Sequence, residues 1–262
     1  MKTLHVLFTA RTAVTGRALT AELQSIAPAD VRVTGSTGSS RPVNFLVRWG
    51  NSSSVDYEPE EVFQDRQAVA NTSDKLAMLE CFKADNVPCP KWYRHDEFSR
   101  ITRFPIVVRK RDHFKGQGFW TVNNRQELQR FASSRFYAVE IIDVAHEYRI
   151  FVYNGKIMEI NKKIQDNRPI TAGLNPLIKN HTNGWVCRRG GFEVPEGIRH
   201  VAKYATEALG LDFSACDVYV DRNGNKGLFE ANTAPGLVER KIEKLARKIM
   251  SQATGEEMEV EL

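Results

Sequence analysis

Apolar positions recur along this chain with two different periods. Leu4 to Phe8 forms a short apolar run of strand length, and Leu19, Leu23 and Ile26 then share one face of a helix from about Arg17 to Ile26. Val31 to Val33 and Asn44 to Trp49 predict two further strands. Strand, helix, strand in this order predicts a small Rossmann-like lobe over residues 1–70. Its first turn, Thr9 to Gly16, has neither a GxGxxG fingerprint nor a Walker A lysine, so phosphate binding is not expected there.

Beyond residue 70 the pattern changes. Asn71-Thr72-Ser73-Asp74 offers capping chemistry for a helix that brings Leu76, Leu79 and Phe82 to one face before Pro88 and Pro90 stop it. Lys75 lies in the first turn, where a cation opposes the helix dipole. Phe104 to Arg111 is an apolar strand ending in Arg109, Lys110 and Arg111, and Lys115, Gly116 and Gly118 follow before Phe119 to Val122 resumes the strand pattern. Glycines let backbone N–H groups approach a phosphate and neighbouring cations neutralise it, although a plain hairpin turn has the same look.

Tyr137 to Asp143, Glu147 to Val152 and Lys156 to Ile164 predict more strands, the last two joined through Asn154-Gly155. A two-residue turn there sets Glu147 opposite Lys162, as a cross-strand ion pair. Asp166 to Phe192, rich in Asn, Gly, Arg and Pro, reads as an irregular connection carrying Lys179, His181, Arg188 and Arg189. Helices are predicted over Val201 to Leu209 and Leu237 to Met250.

A hydrophobic fraction of 42% with 26% charged residues excludes a disordered or fibrous chain. The net charge of +5 understates the body, because the tail from Glu256 to Leu262 carries four Glu. A basic body favours anionic ligands without choosing among nucleotides, acidic peptides and nucleic acid. Cys81, Cys89, Cys187 and Cys216 form no CxxC pair and are expected as reduced thiols. No apolar run is long enough for a membrane span or a signal peptide, and a cytoplasmic location is expected.

The segment from Asp217 to Asn232 contains a second Asn-Gly, at 223 and 224. A two-residue turn pairs 222 with 225 and sets Asp217 against Glu230, with Asn232 on the same face. Two facing carboxylates repel unless a cation lies between them, and the amide completes an all-oxygen donor set suited to Mg²⁺. Magnesium prefers few carboxylates plus substrate phosphates, which points to a nucleotide.

In order and spacing, residues 71–240 resemble the ATP-grasp superfamily, with the first lobe similar to that family's pre-grasp domain. "FEANTAPGL" beside "CDVYVD" resembles its metal-binding strands, which implies one or two Mg²⁺ on Asp217, Glu230 and Asn232 bridging the ATP phosphates. "SDKLAMLECFKADNVPCPKW" resembles its lysine-bearing helix, which implies that Lys75 approaches the phosphates. In "FPIVVRK" Arg109 takes the place of the usual lysine and Lys110 follows; Arg clamps phosphate bidentately. "VEIIDVAHEYRIFV" resembles the hinge, which implies adenine contacts from Glu140 and the backbone of Ile141 and Ile142, and ribose contacts from Glu147. Arg149 resembles an arginine of the ribosomal-protein glutamate ligase branch, and Lys162 a cation near the γ-phosphate. Glu147 therefore has two open readings, ribose ligand and ion-pair partner.

The resemblance implies an α/β (α+β) ATP-grasp fold in which two α+β lobes grip the nucleotide: a central lobe over 71–136, a C-terminal lobe over 137–250 and an acidic tail over 251–262. Short phage-type ATP-grasp proteins are the most similar kind. The implied activity is carboxylate–amine ligation through an acyl-phosphate, with ATP and Mg²⁺ and a small acid, amino acid or peptide as substrate. A non-ligating nucleotide-binding protein associated with nucleic acid, or a small-molecule kinase, is the alternative.

Overall fold

The computed structural model describes residues 1–112, 118–166 and 177–258. Lys115 and Gly116 therefore lie outside the described residues. Along the chain run β1 (Lys2–Phe8), α1 (Ala13–Ile26), β2 (Val31–Ser36), β3 (Phe45–Trp49), β4 (Glu61–Phe63) and α2 (Arg66–Ser73). Next come α3 (Lys75–Ala84), β5 (Trp92–Arg94), β6 (Ile106–Lys110), β7 (Phe119–Val122), α4 (Arg125–Leu128) and β8 (Phe136–Glu140). The remainder comprises β9 (Val144–Tyr153), β10 (Lys156–Gln165), β11 (Trp185–Arg189), α5 (Ile198–Ala208), β12 (Phe213–Asp221), β13 (Lys226–Asn232) and α6 (Glu239–Thr254). No helix among these is long and apolar enough to cross a membrane.

The chain divides into two compact units. The first holds Met1–Ala70, Gly210–Ser214 and the segment from Asn232 onward. Its four strands lie in the order β2-β1-β3-β4 and all pair in parallel. A parallel sheet needs apolar cover, and α1 packs on it with α6 against α1. Helix α6 buries Ile242, Leu245 and Ile249, one stripe at helical spacing. Gly16 permits the close approach of α1, because a Cβ there would come within 2.6 Å of the Phe8 ring. The segment 210–214 is held by side-chain and backbone contacts: Trp49 stacks on Phe213 with ring centroids 5.7 Å apart, and the Gln64 amide bonds both the N–H and the C=O of Phe213.

The second unit, Asn71–Leu209 with Ala215–Ala231, contains two further sheets. In the antiparallel sheet β5-β8-β6-β7, Ile106, Val108, Val122 and Ala138 pack into a core with Tyr93, Phe98, Ile101 and Leu128. Alternation sends Val107 and Arg109 to the other face, Arg109 beside its register partners Phe119 and Tyr137. The other sheet has the order β11-β10-β9-β12-β13.

The stretch expected as an irregular connection, 166–192, is corrected in part: Trp185–Arg189 forms β11, paired antiparallel with β10. Its cationic and glycine-rich flanks mask a five-residue strand whose pairing comes from β10 rather than from local propensity. Burial pushes the Cys89 thiol up to about 11.

Candidate functional site

The functional geometry begins with one irregularity in β10. Tyr153 pairs with Lys156 and Val152 with Ile157 across the expected two-residue turn, but Phe151 then pairs with Glu159, leaving Met158 as an extra residue. This bulge shifts the rest of the ladder by one, so Lys162 lies opposite Tyr148 and the following residue, Lys163, meets Glu147. The predicted Glu147–Lys162 pair is thereby corrected. A shift of one residue sends every side chain to the other face. Lys162 consequently lies on the face of Tyr148, its ammonium 6.0 Å from that ring, and opposite Arg188 of β11. Lys163 lies on the face of Glu147 and Arg149.

That face carries a chain of buried charges. Arg149 donates through Nε and Nη2 to the two oxygens of Asp217, each at 2.8 Å. Lys163 Nζ donates to Asp217 Oδ2 at 2.9 Å and also to Glu147 Oε1. Lys179 Nζ stands 3.7 Å from Glu147 Oε2 and 4.8 Å over the Trp185 ring. Asp217, Glu147 and Lys163 are only 4%, 6% and 9% exposed. Nearby on β10, Asn161 donates to Glu159 at 2.7 Å, and Arg189 Nε approaches Glu159 at 4.0 Å.

Burial and pairing act in opposite senses on these groups. Burial alone would raise the Asp217 carboxyl, but Arg149 and Lys163 outweigh it and hold the group below the usual carboxylate range. At Glu147 burial wins over the attraction of Lys163, and repulsion from Asp217 adds to it, so that carboxyl is raised. Burial would lower Lys163, yet Asp217 and Glu147 raise it overall; Asp217 likewise raises Arg149. Lys179, with one weaker partner, is lowered by burial.

A second cluster forms at the start of α3. Asp74 caps the helix, accepting from the Leu76 and Ala77 N–H groups, and is itself bonded by Arg111. Lys75 in the first turn is buried and stands 3.5 Å from Glu230 Oε2. Tyr137, 1% exposed, is pushed up to about 12 by burial; nearby Arg109 opposes this, and Glu230 and Asp74 add to it. Arg109 and Glu230 thus both act on this phenol, and Lys75 is joined to it only through Glu230. Lys110 projects from the opposite face of β6, where its stem packs against Gly118.

The β12–β13 turn also differs from its prediction. Gly224 N–H donates to the Asp221 carbonyl and Asp221 N–H to the Asn225 carbonyl, so three residues form the loop, with Gly224 at φ 82°. Residue 221, not 222, therefore meets 225, because the Asp221 carboxylate bonds the N–H groups of Asn223 and Asn225 and draws one more residue into the turn, and this corrects the expected pairing: the turn no longer sets Asp217 directly opposite Glu230. Glu230 nevertheless lies near enough to oppose ionisation of Asp217. Asn232 ends β13.

Glu140, at the end of β8, accepts from Tyr93 Oη at 3.2 Å and lies 3.9 Å from Lys91, a different neighbourhood from that of Glu147. Ile141 and Ile142 follow in a connection without strand structure. A groove of about 560 Å³ lined by Lys83, Pro88, Cys89, Pro90, Trp92 and Tyr93 opens in this unit and includes none of the predicted site residues.

The donor chemistry around Asp217 suits a hard cation under one constraint. Asp217 is held ionised, as ligation requires, but three N–H donors use three of its roughly four lone-pair positions. Among the described residues no group of three or more His, Cys, Asp or Glu is arranged for a metal. Sequence reasoning missed Lys163 and the pairing of Lys179; periodicity carries no signal for an inserted residue in a ladder.

No protein-family model matches this chain, and no curated protein does. Among solved structures it is similar to the D-alanine–D-alanine ligase of Bacillus anthracis, at 15% identity over 99% of this chain and 97% of that one, with a TM-score of 0.67. The same enzyme has been solved in complex with ATP. The ATP-grasp ligase PsnB, complexed with a minimal precursor, matches at 10% identity over 96% of this chain and all of that one (100%), with a TM-score of 0.69. The N5-carboxyaminoimidazole ribonucleotide synthetase of Thermotoga maritima matches at 13% identity over 95% and 76%, with a TM-score of 0.64. At such identities the likeness is one of fold: the chain has the mixed α/β ATP-grasp fold.

Proposed function

We propose, from the ATP-grasp fold, that this chain is an ATP-dependent carboxylate–amine ligase of the reducing cytoplasm, nearest in its β9 arginine to the glutamate ligase branch. The observation that carries the reading is the buried chain Arg149–Asp217–Lys163–Glu147 on one face of a sheet. A buried ionic network is an expensive way to stabilise a fold, and apolar residues of similar size would serve stability as well. Fixed cations in a dry site are well suited to stabilising charge on a transferred phosphoryl group.

In the proposed reaction a substrate carboxylate oxygen bonds the γ-phosphorus of ATP, and the bond to the β,γ-bridging oxygen breaks to release ADP. An amine then attacks the acyl carbon, and the amide forms as inorganic phosphate leaves with the acyl C–O electron pair and the nitrogen gives up a proton to phosphate or solvent. Arg149 and Lys163 balance the charge on the transferring group, Lys163 taking the role expected of Lys162. Asp217 and Glu147 orient Lys163, whose own charge they secure. Lys75 and Arg109 face the α and β phosphates. Glu140 and the backbone of Ile141 and Ile142 receive the adenine. Magnesium, when bound, would be held by Glu230, Asn232 and the remaining lone pair of Asp217, and would neutralise phosphate charge.

Incubation with ATP, Mg²⁺ and pooled amino acids or peptides tests the reading by release of ADP and phosphate and by product mass. Acid-dependent turnover with an amide in the product is expected. A phosphorylated product without an amide would identify a kinase, and no acid-dependent turnover over a broad panel would overturn ligation.

A further inference from the structure

The groove of about 560 Å³ beside β5 takes no part in the proposed reaction, and its volume falls within the roughly 300–1,000 Å³ of small-molecule sites. Its walls are fixed by the backbone. Asn86, at φ 56°, ends α3, and the Val87 N–H donates to the Phe82 carbonyl at 2.8 Å. The Pro88 carbonyl then accepts from the Leu228 N–H of β13 at 2.8 Å, and the Lys91 carbonyl from the Glu140 N–H at 2.9 Å. The groove is therefore formed before any ligand arrives.

Its lining is apolar with a cationic rim. Phe82 and Val87 are 0% and 4% exposed, and Pro88, Pro90 and Trp92 add flat apolar faces. The charged lining residues are Lys83, Lys91 and Arg100 against Glu97 alone. Glu97 is already bonded by Arg100 at 2.8 Å and by the Arg94 N–H at 3.2 Å. Lys83 Nζ stands 5.8 Å over the Trp92 ring and pairs with no acid among the described residues. Lys91, its side chain 66% exposed, stands 5.2 Å over the Tyr93 ring and approaches Glu140 only to 3.9 Å. Two ammonium groups beside aromatic rings and short of counter-ions select a ligand that has both a ring and a negative charge. A phosphate calls for converging N–H donors, whereas this lining has no glycine and includes two prolines, which have no N–H. A carboxylate is served by the ammonium point charges alone.

We propose that this groove binds a small aromatic carboxylate, its ring against Trp92, Pro88 and Pro90 and its carboxylate at Lys91, with Lys83 beside it. The ligand and Glu140 compete for the Lys91 ammonium, so binding draws that cation away from Glu140. Binding needs no nucleotide and stands or falls separately from the proposed reaction.

Isothermal titration of the full chain with naphthoate, without ATP, tests the site. One saturable site per chain is expected, with a Kd below about 1 mM. Naphthamide, which keeps the ring and loses the charge, and acetate, which does the reverse, should each bind at least about tenfold more weakly. The double variant Lys83→Gln/Lys91→Gln should weaken naphthoate about tenfold with an unchanged melting temperature, while Lys156→Gln at the β9–β10 turn leaves it unaltered. Glu140→Gln should tighten naphthoate about two- to threefold, because Lys91 loses its competing acid. No saturable binding, equal binding of naphthamide or of acetate, or indifference to the lysine double variant would overturn the proposal. Unchanged or weaker binding by Glu140→Gln would overturn the competition for Lys91.

Discussion

The two faces of the β9–β10 ribbon are built from one register and have opposite chemistry. On one face Tyr148, Ile150 and Val152 are buried, and Tyr148 packs against Phe192 with Lys162 over its ring. On the other, Glu147, Arg149, Asn161 and Lys163 form a polar layer tied to Asp217. Two adjacent lysines are divided between these faces, and the extra residue Met158 decides which goes where. Residue type therefore fixes less of the chemistry than the count of residues back to the turn.

The largest expected effect separates those lysines. Lys163→Met leaves Asp217 with Arg149 alone and Glu147 with Lys179 alone, 3.7 Å away, and breaking such a network costs about 3–5 kcal/mol. Turnover should fall by about 10³-fold or more, as for loss of a charge-stabilising group. Lys162→Met should change stability by no more than about 0.5 kcal/mol and leave turnover near wild type. Urea denaturation and steady-state ADP release measure both; the opposite ranking would mean that the polar face is not the working one.

Next in size is Glu230→Gln. Its side chain is 24% exposed and pairs with Lys75 at 3.5 Å, so stability should change by about 1 kcal/mol or less. Turnover should fall about 10²-fold and lose its response to Mg²⁺. Unfolding by this single change would instead assign Glu230 to the scaffold.

Much of the scaffold was legible because it depends on local spacing. Leu19, Leu23 and Ile26 marked α1, Asp74 capped the helix carrying Lys75, and Asn154-Gly155 gave the β9–β10 hairpin. Strict alternation also separates Arg109 from Lys110, one on the Tyr137 face and the other away from it. What stayed hidden depends on insertions and on partners distant in sequence. Met158 looks like any residue of a strand, Asp221 enlarges its turn through hydrogen bonds from Asn223 and Asn225, and β11 exists because β10 offers it an edge. Lys163 escaped notice for the first of these reasons.

A smaller effect distinguishes the two carboxylates that share Lys163. The depressed Asp217 value means that its contribution is present above about pH 3.9, the unfolded value, and is lost as pH falls through the folded one. Glu147 has the opposite sign. Its raised value makes the native state hold a proton that the unfolded chain has released, so stability falls as pH rises from about 4.3 to the folded value. Relative to wild type, Asp217→Asn should lose the acid-side rise, and Glu147→Gln should lose the decline above it. Chemical denaturation at half-unit steps from pH 3 to 7 gives both slopes; the same sign for the two variants would contradict the environments described.

The smallest expected effect comes from deleting Met158. In the intact ladder Val152 pairs with Ile157 and Phe151 with Glu159, so removing the residue between them joins two correctly registered halves into one regular strand. A slip by one residue would turn Ile160 and Ile164 toward the polar layer and drive Lys163 into the apolar face, at several kcal/mol for the stranded charge. The deletion should therefore change stability by only about 1 kcal/mol, through lost local twist. In its background Lys163→Met should remain the damaging substitution and Lys162→Met the harmless one. If the two exchanged roles, the shortened ladder would have slipped by one residue, and neither turn distance nor the partners Glu147 and Asp217 would be what holds Lys163 on the polar face.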